Sequence, residues 1–270
     1  MPEISHPPVA PAGVPLENAF RVLDEGGVTC GSAAVVEYIN HALLPERPLN
    51  YYISINAHNQ RAFDMLMGAA VARSLVLRRR NARMPARIYA PCPPFDAKSL
   101  RDFLDFGFQN DDAVIRMRHI LTAGDHLPNP PVGCALAPVM LEEAADYDAL
   151  LTRLNAYSAV AHGPEWLARL RQEPLFAVCG VWQEERLLGE LVLTGYGAEG
   201  QVEMLYTHPT FRRRGVARAL LAEAGRILLE NGIRSLSAEV WRRNRAAMGL
   251  FEAMRFESVA PTILYPGVDI

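Results

Sequence analysis

The chain is 270 residues long and carries a formal net charge of −3, from 27 Lys+Arg against 30 Asp+Glu. Half of its residues are hydrophobic and 21% are charged, a globular balance that excludes a disordered chain and a collagen-like repeat. The slight acidic excess argues against a general nucleic-acid binder, whose footprint is strongly basic, and no run approaches the ~18 uninterrupted apolar residues of a membrane helix. The N-terminus, Met1-Pro2-Glu3-Ile4-Ser5-His6-Pro7-Pro8, has an acid and prolines where a secretory signal needs a cationic region and an apolar run. Cys30, Cys92, Cys134 and Cys179 are scattered without a C-x-x-C, as reduced thiols are. The seven histidines show no ligand spacing. The expectation is a soluble cytoplasmic protein with no metal and no membrane or nucleic-acid partner.

In chain order, residues 1–17 are rich in proline and read as a flexible arm. Residues 18–121 form a first domain. It has strands over Tyr51–Ile55, Arg87–Ala90 and Asp112–Arg118, and helices over Arg61–Arg80 and Ala97–Phe106. Three prolines and a glycine punctuate 122–131, which reads as a linker. Residues 132–270 form a second domain. Its expected strands are Ala135–Met140, Leu175–Gln183, Arg186–Thr194, Gln201–Thr207, Ser235–Trp241 and Val259–Tyr265. Its expected helices are Glu142–Asn155, Pro164–Gln172, Gly215–Glu230 and Arg245–Met254. Hairpins come early and helical crossovers late, an α/β (α+β) order with a mixed sheet. Ala90 and Ala238, Phe103 and Phe251, and Phe108 and Phe256 each stand 148 residues apart, which suggests an internal repeat.

The segment that carries chemistry is Arg212-Arg213-Arg214-Gly215-Val216-Ala217. It follows a strand and opens a strong helix. Three cations are misplaced at a helix N-terminus, which already carries about half a positive charge. They make sense if an anion sits there, with exposed N–H groups, the helix dipole and arginines all directed at it. Gly215 and Ala217 keep bulk away from the close approach. The bland alternative is a solvated arginine run.

Arg212-x-x-Gly215-x-Ala217 resembles the Gln/Arg-x-x-Gly-x-Gly/Ala signature of the GNAT superfamily of acyl-CoA-dependent N-acetyltransferases. Asn244 and Ala247 match that family's Asn-x-x-Ala, Leu250-Phe251 its Leu-Tyr-like pair, and Phe256 its closing phenylalanine. The resemblance covers Ala135 to Tyr265. It departs from the pattern at Phe251, where the family often has a thiolate-protonating tyrosine, and at Arg255, where it has glycine. In the first half, Leu100-Arg101-Asp102-Phe103-Leu104-Asp105-Phe106-Gly107-Phe108 resembles the same helix ending, but at the shared offset the phosphate loop falls on Asp64–Ala69. Asp64 would repel phosphate there, and Met67 replaces the glycine. The resemblance thus implies two GNAT-like mixed-sheet halves in tandem, the C-terminal one complete and the N-terminal one degenerate.

What the resemblance implies for function is an enzyme that transfers an acetyl group from acetyl-CoA to an amine acceptor by direct attack in a ternary complex. The pyrophosphate would lie on the N–H groups of Arg213, Arg214, Gly215, Val216 and Ala217, beside Arg212. The pantetheine would run along Leu205 and Thr207, with the Leu205 N–H polarising the thioester carbonyl. Asn244 would bond the pantetheine, or cap its helix, and Phe251 would pack against it. Glu203 is the first choice for the base, on the expectation that it shares the face of Leu205, and Glu190 the second. Tyr206 and Tyr265 are candidate acids, with water as the alternative to either. The competing reading is a catalytically silent acyl-CoA-binding or regulatory module. Gly195-Tyr196-Gly197-Ala198-Glu199-Gly200 fits G-x-G-x-x-G, but a strand follows where a dinucleotide site needs a helix, so a hairpin loop is expected.

Overall fold

The computed structural model describes residues 2–39, 41, 46–122, 129–158 and 161–270. The first half holds β1 (Glu3–Ser5), β2 (Ala19–Leu23), β3 (Thr29–Ile39), β4 (Leu49–Ala57), α1 (Gln60–Arg78), β5 (Ala86–Tyr89), α2 (Ala97–Asp105) and β6 (Ala113–Ile120). Then come β7 (Ala135–Pro138), α3 (Ala144–Asn155), α4 (Pro164–Leu170), β8 (Leu175–Gln183), β9 (Arg186–Tyr196) and β10 (Glu199–Thr207). The chain ends with α5 (Val216–Glu230), β11 (Ser235–Trp241), α6 (Arg245–Ala253), β12 (Glu257–Leu264) and β13 (Gly267–Asp269). It is a mixed α/β protein. Of the expected linker at 122–131, residues 123–128 lie outside the described residues.

The contacts divide the chain into two compact units, Met1–Ala113 with Ile263–Ile270, and Val114–Thr262. The first unit is built on a six-stranded sheet, β1-β2-β3-β4-β5-β13. Its strands are antiparallel except for the parallel β4–β5 pair. Phe63, Met67 and Ala70 of α1 bury themselves against Val35, Tyr51 and Ile53 of the sheet. Asn59 starts that helix by accepting a hydrogen bond from the Ala62 N–H at 2.9 Å. The proline-rich arm expected to be flexible places Glu3–Ser5 against β2 in antiparallel register. His6 Nδ1 lies 2.7 Å from the Ala19 carbonyl oxygen, which ties the same segment down.

The second unit is built on a seven-stranded sheet, β12-β6-β11-β10-β9-β8-β7. The α3 and α4 helices cover one face with Leu150, Leu154, Leu167 and Leu170, packed on Val178, Val192 and Tyr206. The other face meets α5. A Cβ at Gly200 would run into Leu228, and one at Gly189 into Val216.

Each sheet contains a strand from the opposite half of the chain. The strand expected over Asp112–Arg118 was read as part of the first domain. As β6 it pairs antiparallel with β11, from Val114↔Trp241 to Ile120↔Ser235. The end of the chain in turn supplies β13 to the first sheet, pairing Gly267 with Tyr89 and Asp269 with Arg87. The boundary expected at 122–131 therefore differs from that of the compact units. Apolar alternation identifies a strand but carries no record of its partner. Arg87 shows why β13 belongs in the first unit. This arginine is 1% exposed, and its guanidinium pairs with Asp111 and, at 3.3 Å, with Asp269 of β13.

The repeat is visible in the local geometry. The helices α2 and α6 start and end 148 residues apart. Their caps, Asp96 and Asn244, also stand 148 apart, and they accept from the N–H of Ser99 at 3.0 Å and of Ala247 at 3.1 Å. Both helices close with the same long turn, Phe108 N–H to Phe103 O and Phe256 N–H to Phe251 O. That turn requires a left-handed residue. Gly107 supplies it at φ 84°, and Arg255 supplies it at φ 63°.

The repeat does not extend to the phosphate loop. At the shared offset that loop was expected on Asp64–Ala69, but these residues lie inside α1. Only His58 and Asn59 separate β4 from α1, whereas His208–Gly215 separate β10 from α5. The first half lacks the loop itself, not only its glycine.

Candidate active site

The joint between β10 and α5 is a short 3-10 turn, Pro209–Phe211, followed by Arg212–Gly215. Phe211 is buried and anchors the joint, with the guanidinium carbons of Arg186 and Arg214 lying 4.6 Å and 5.4 Å from its ring centre. Arg213 and Gly215 both take positive φ, 64° and 90°. Gly215 is the N-cap of α5, and no side chain caps the helix. The first turn holds no acid. A Cβ at Gly215 would meet nothing within 4 Å, so glycine serves here for its backbone conformation and for the open space above it. The helix therefore begins with bare N–H groups, a positive dipole end, and the exposed side chains of Arg212, Arg213 and Arg214. Those groups suit a phosphate or pyrophosphate.

Beside this joint the sheet opens. β10 and β11 pair in parallel for four residues, from Glu199↔Ser235 to Val202↔Ala238, and their register ends there. β10 continues through Thr207 on β9 alone, while β11 continues on β6. Beyond Val202, the edge of β10 turned away from β9 has no strand partner among the described residues. Leu205 and Thr207 lie on this stretch, and Thr207 Oγ1 is buried without a hydrogen-bond partner among the described residues. An extended ligand fits such an edge by strand-like backbone bonds.

At the point of opening β10 carries a β-bulge. Val202 pairs with Leu193 and Met204 with Val192, which leaves Glu203 as the extra residue. The bulge corrects the expectation that Glu203 and Leu205 share a face. Leu205 lies opposite Leu191, on the α5 side, while Met204 and Tyr206 join the cluster under α3 and α4. Glu203 is directed to Thr194, whose hydroxyl donates to its Oε1 at 2.6 Å. Burial raises the Glu203 pKa above the ordinary carboxylate range, against the lowering effects of the Thr194 hydrogen bond and Arg169. A carboxylate so raised is a better base than an exposed one.

Glu190, the second candidate base, has a different environment. It is 0% exposed on β9. Arg153 of α3 grips it with two hydrogen bonds, Nε to Oε2 at 2.9 Å and Nη2 to Oε1 at 2.6 Å. The Tyr206 hydroxyl donates to Oε2 at 2.6 Å. Both oxygens are taken, so this carboxylate ties α3 to β9 and β10. Burial, then the bond to Glu190, raises the Tyr206 pKa, and the ring stacks on Tyr157 at 4.5 Å between centroids. The proton of Tyr206 is thus committed to Glu190. Tyr265, the other candidate acid, lies in the first unit, edge-on to Tyr52 and Tyr89.

Asn244 caps α6 through its side chain. Phe251 is buried and packs edge-on against Phe256, 4.9 Å between centroids. The G-x-G-x-x-G segment is a hairpin, with Tyr196 paired to Glu199 across Gly197 and Ala198. Among the described residues, no cluster of three or more His, Cys, Asp or Glu is placed to hold a metal. No helix among the described residues is long and apolar enough to cross a membrane.

Sequence reasoning missed Thr194 and Arg153. Thr194 gave no signal, since threonine suits any strand. Arg153 had an indirect one: a glutamate inside the apolar run Leu187–Leu193 needs a buried partner.

Residues 143–256 match the acetyltransferase (GNAT) family. An acetyltransferase of Pectobacterium atrosepticum is 34% identical over 93 residues, 34% of this chain and 64% of that protein. One of Yersinia enterocolitica is 35% identical over 68 residues, 25% of this chain and 48% of that protein. The chain thus spans less than two thirds of these relatives. Among solved structures, a GCN5-related N-acetyltransferase from Sphaerobacter thermophilus has the same fold over 96% of this chain and 82% of that one, with a TM-score of 0.54 at 16% identity. A probable N-acyltransferase from Enterococcus faecalis aligns over 93% of this chain and 62% of that one, with a TM-score of 0.56 at 13% identity. The fold likeness covers both halves, while the family match lies within the second unit, on the open helix N-terminus, the parted strands and the bulged glutamate. Residues 143–256 are a domain of the acetyltransferase (GNAT) family type, and the fold of the chain is the one seen in GCN5-related N-acetyltransferases.

Proposed function

We propose that this protein transfers an acetyl group from acetyl-CoA to a primary amine by direct attack in a ternary complex. The observation that carries the reading is the pairing of an uncapped, arginine-flanked helix N-terminus at Gly215 with a strand edge that opens at Val202. The N–H groups of residues 213–217 hold the pyrophosphate, with Arg212 alongside. The backbone of Leu205 and Thr207 pairs the pantetheine, and the Leu205 N–H polarises the thioester carbonyl. Asn244 and Phe251 flank that arm. Glu203 takes the proton of the attacking amine as the N–C bond forms and the C–S bond breaks. With Phe251 in place of a tyrosine and Tyr206 bonded to Glu190, water returns a proton to the departing thiolate.

The first unit, without the loop, binds no CoA in this reading. The lack of a phenol at Phe251 favours one alternative, a silent acyl-CoA-binding module. A cytoplasmic location is proposed from the four free cysteines. Free-thiol release from acetyl-CoA with tyramine, spermidine, lysine and an alanyl peptide tests the transfer. Amine-dependent release is expected. Binding of acetyl-CoA without release for any amine would favour the silent module.

A further inference from the structure

The hydrogen bond between Thr194 and Glu203 implies a division of labour within the carboxylate. Thr194 sits on β9, is 4% exposed, and stands opposite Gln201 in the strand pairing. Glu203 is the extra residue of the bulge two positions further along β10. Its side chain shares the face of Thr194 and lies diagonal to it across the two strands, within reach of the hydroxyl. The 2.6 Å distance from Thr194 Oγ1 to Glu203 Oε1 is that of a charge-assisted bond. Among the described residues, Oε2 has no hydrogen-bond partner. A buried threonine hydroxyl has one proton to give, and here it goes to the carboxylate.

We propose that Thr194 is the positioning residue of the general base, holding Glu203 by one oxygen so that the other is left to take the proton of the amine. The inference rests on the reading of Glu203 as that base. The bond has two consequences. It fixes the carboxylate against rotation about its last torsion, which is otherwise broad. It also favours the ionised form, opposing the burial that raises the Glu203 pKa. The other charged groups facing Glu203 are Arg169 of α4, which favours ionisation, and Glu239 of β11 and Glu173 after α4, which oppose it. Thr194 therefore keeps the base ionised at a pH where burial and two neighbouring acids would protonate it.

The test compares Thr194→Val, which keeps the shape and removes the hydroxyl, with Thr194→Ser, which restores the hydroxyl. The first readout needs no substrate. Carbon-13 NMR of the glutamate carboxyls, with the Glu203 signal identified by its absence in Glu203→Gln, follows the titration of this one group. Thr194→Val is expected to raise the Glu203 pKa by about one unit, and Thr194→Ser to return it towards the parent value. The second readout is thiol release from acetyl-CoA with the most active amine of the panel above. On the acid limb, kcat/KM of Thr194→Val should fall about tenfold and converge on the parent at high pH. An unmoved Glu203 titration in Thr194→Val would overturn the inference, as would a Thr194→Ser variant that behaves like the valine. If Glu203→Gln keeps the parent rate and acid limb, it is the base assignment that fails. If Glu203→Gln loses the rate while Thr194→Val leaves the limb in place, the base stands and the role of Thr194 falls.

Discussion

The two halves of this chain share a frame and differ where chemistry would happen. In the first, β4 and β5 pair in parallel for four residues, Leu49↔Ala86 to Tyr52↔Tyr89. In the second, β10 and β11 do the same, Glu199↔Ser235 to Val202↔Ala238. The next residue on each strand is Ile53 in one and Glu203 in the other. Ile53 is 1% exposed and sits in unbroken register with Val35, inside the apolar core. Glu203 sits on a bulge, half-buried, bonded to Thr194. After the strand, the first half turns into its helix in two residues, and the second uses eight. The scaffold survives without a site because its stability comes from pairing and from apolar faces. A site adds a buried charge, a bulge and positive-φ residues, each of which costs stability and persists only with support.

Substitutions at the points where the halves differ should have effects of decreasing size. Glu203→Gln removes the proposed base but keeps the shape, so kcat/KM should fall by about a hundredfold or more, with acetyl-CoA affinity intact by calorimetry. Because burial raises its pKa, the parent should lose activity as pH falls through a value above the ordinary carboxylate range, and the variant should lack that limb. A loss of only about twofold would leave Glu203 no more functional than Ile53.

Next is Glu190→Ala. It strands Arg153 and the Tyr206 hydroxyl at a site where the carboxylate is fully buried. Breaking a buried pair costs about 3–5 kcal/mol. Here Arg153 keeps 35% of its side chain exposed, so about 2–3 kcal/mol is expected, read as a lower midpoint in urea.

The smaller tests probe the shared helix ending. Arg255 holds the left-handed position that glycine fills at Gly107. Arg255→Gly should stabilise the protein by up to about 1 kcal/mol, seen as a Tm rise of a few degrees. Asn244→Ala removes a cap and should cost about 1 kcal/mol. The same change at Asp96 should cost about as much. If Asn244→Ala also weakens acetyl-CoA binding, the cap has a second role that Asp96 lacks.

Much of this frame was legible in the sequence, for identifiable reasons. The strands and helices from Leu175 to Ala253 follow clean apolar periods, and the Arg212–Ala217 pattern stood out as cations at the wrong helix end. β3 was missed because Cys30-Gly31-Ser32-Ala33-Ala34 is too small to show a strand's alternation. β13 is three residues long and becomes a strand only through its pairing with β5. The exchange of β6 was hidden because partner choice is nonlocal. At the site, the sequence supplied Glu203 but not its face, since a bulge leaves no mark in the order of residues. The offset of 148 held for α2 and α6 and failed at the loop, where the first half has fewer residues between strand and helix.

The central claim is that one half, and one loop in it, binds the acyl donor. Titration of acetyl-CoA into the full chain by calorimetry measures this directly, run beside Gly215→Glu and Asp64→Ala. One site per chain is expected, unchanged in Asp64→Ala and lost in Gly215→Glu, which places a bulky anion at the open N-terminus of α5. Two sites per chain, or an affinity that survives Gly215→Glu, would contradict it.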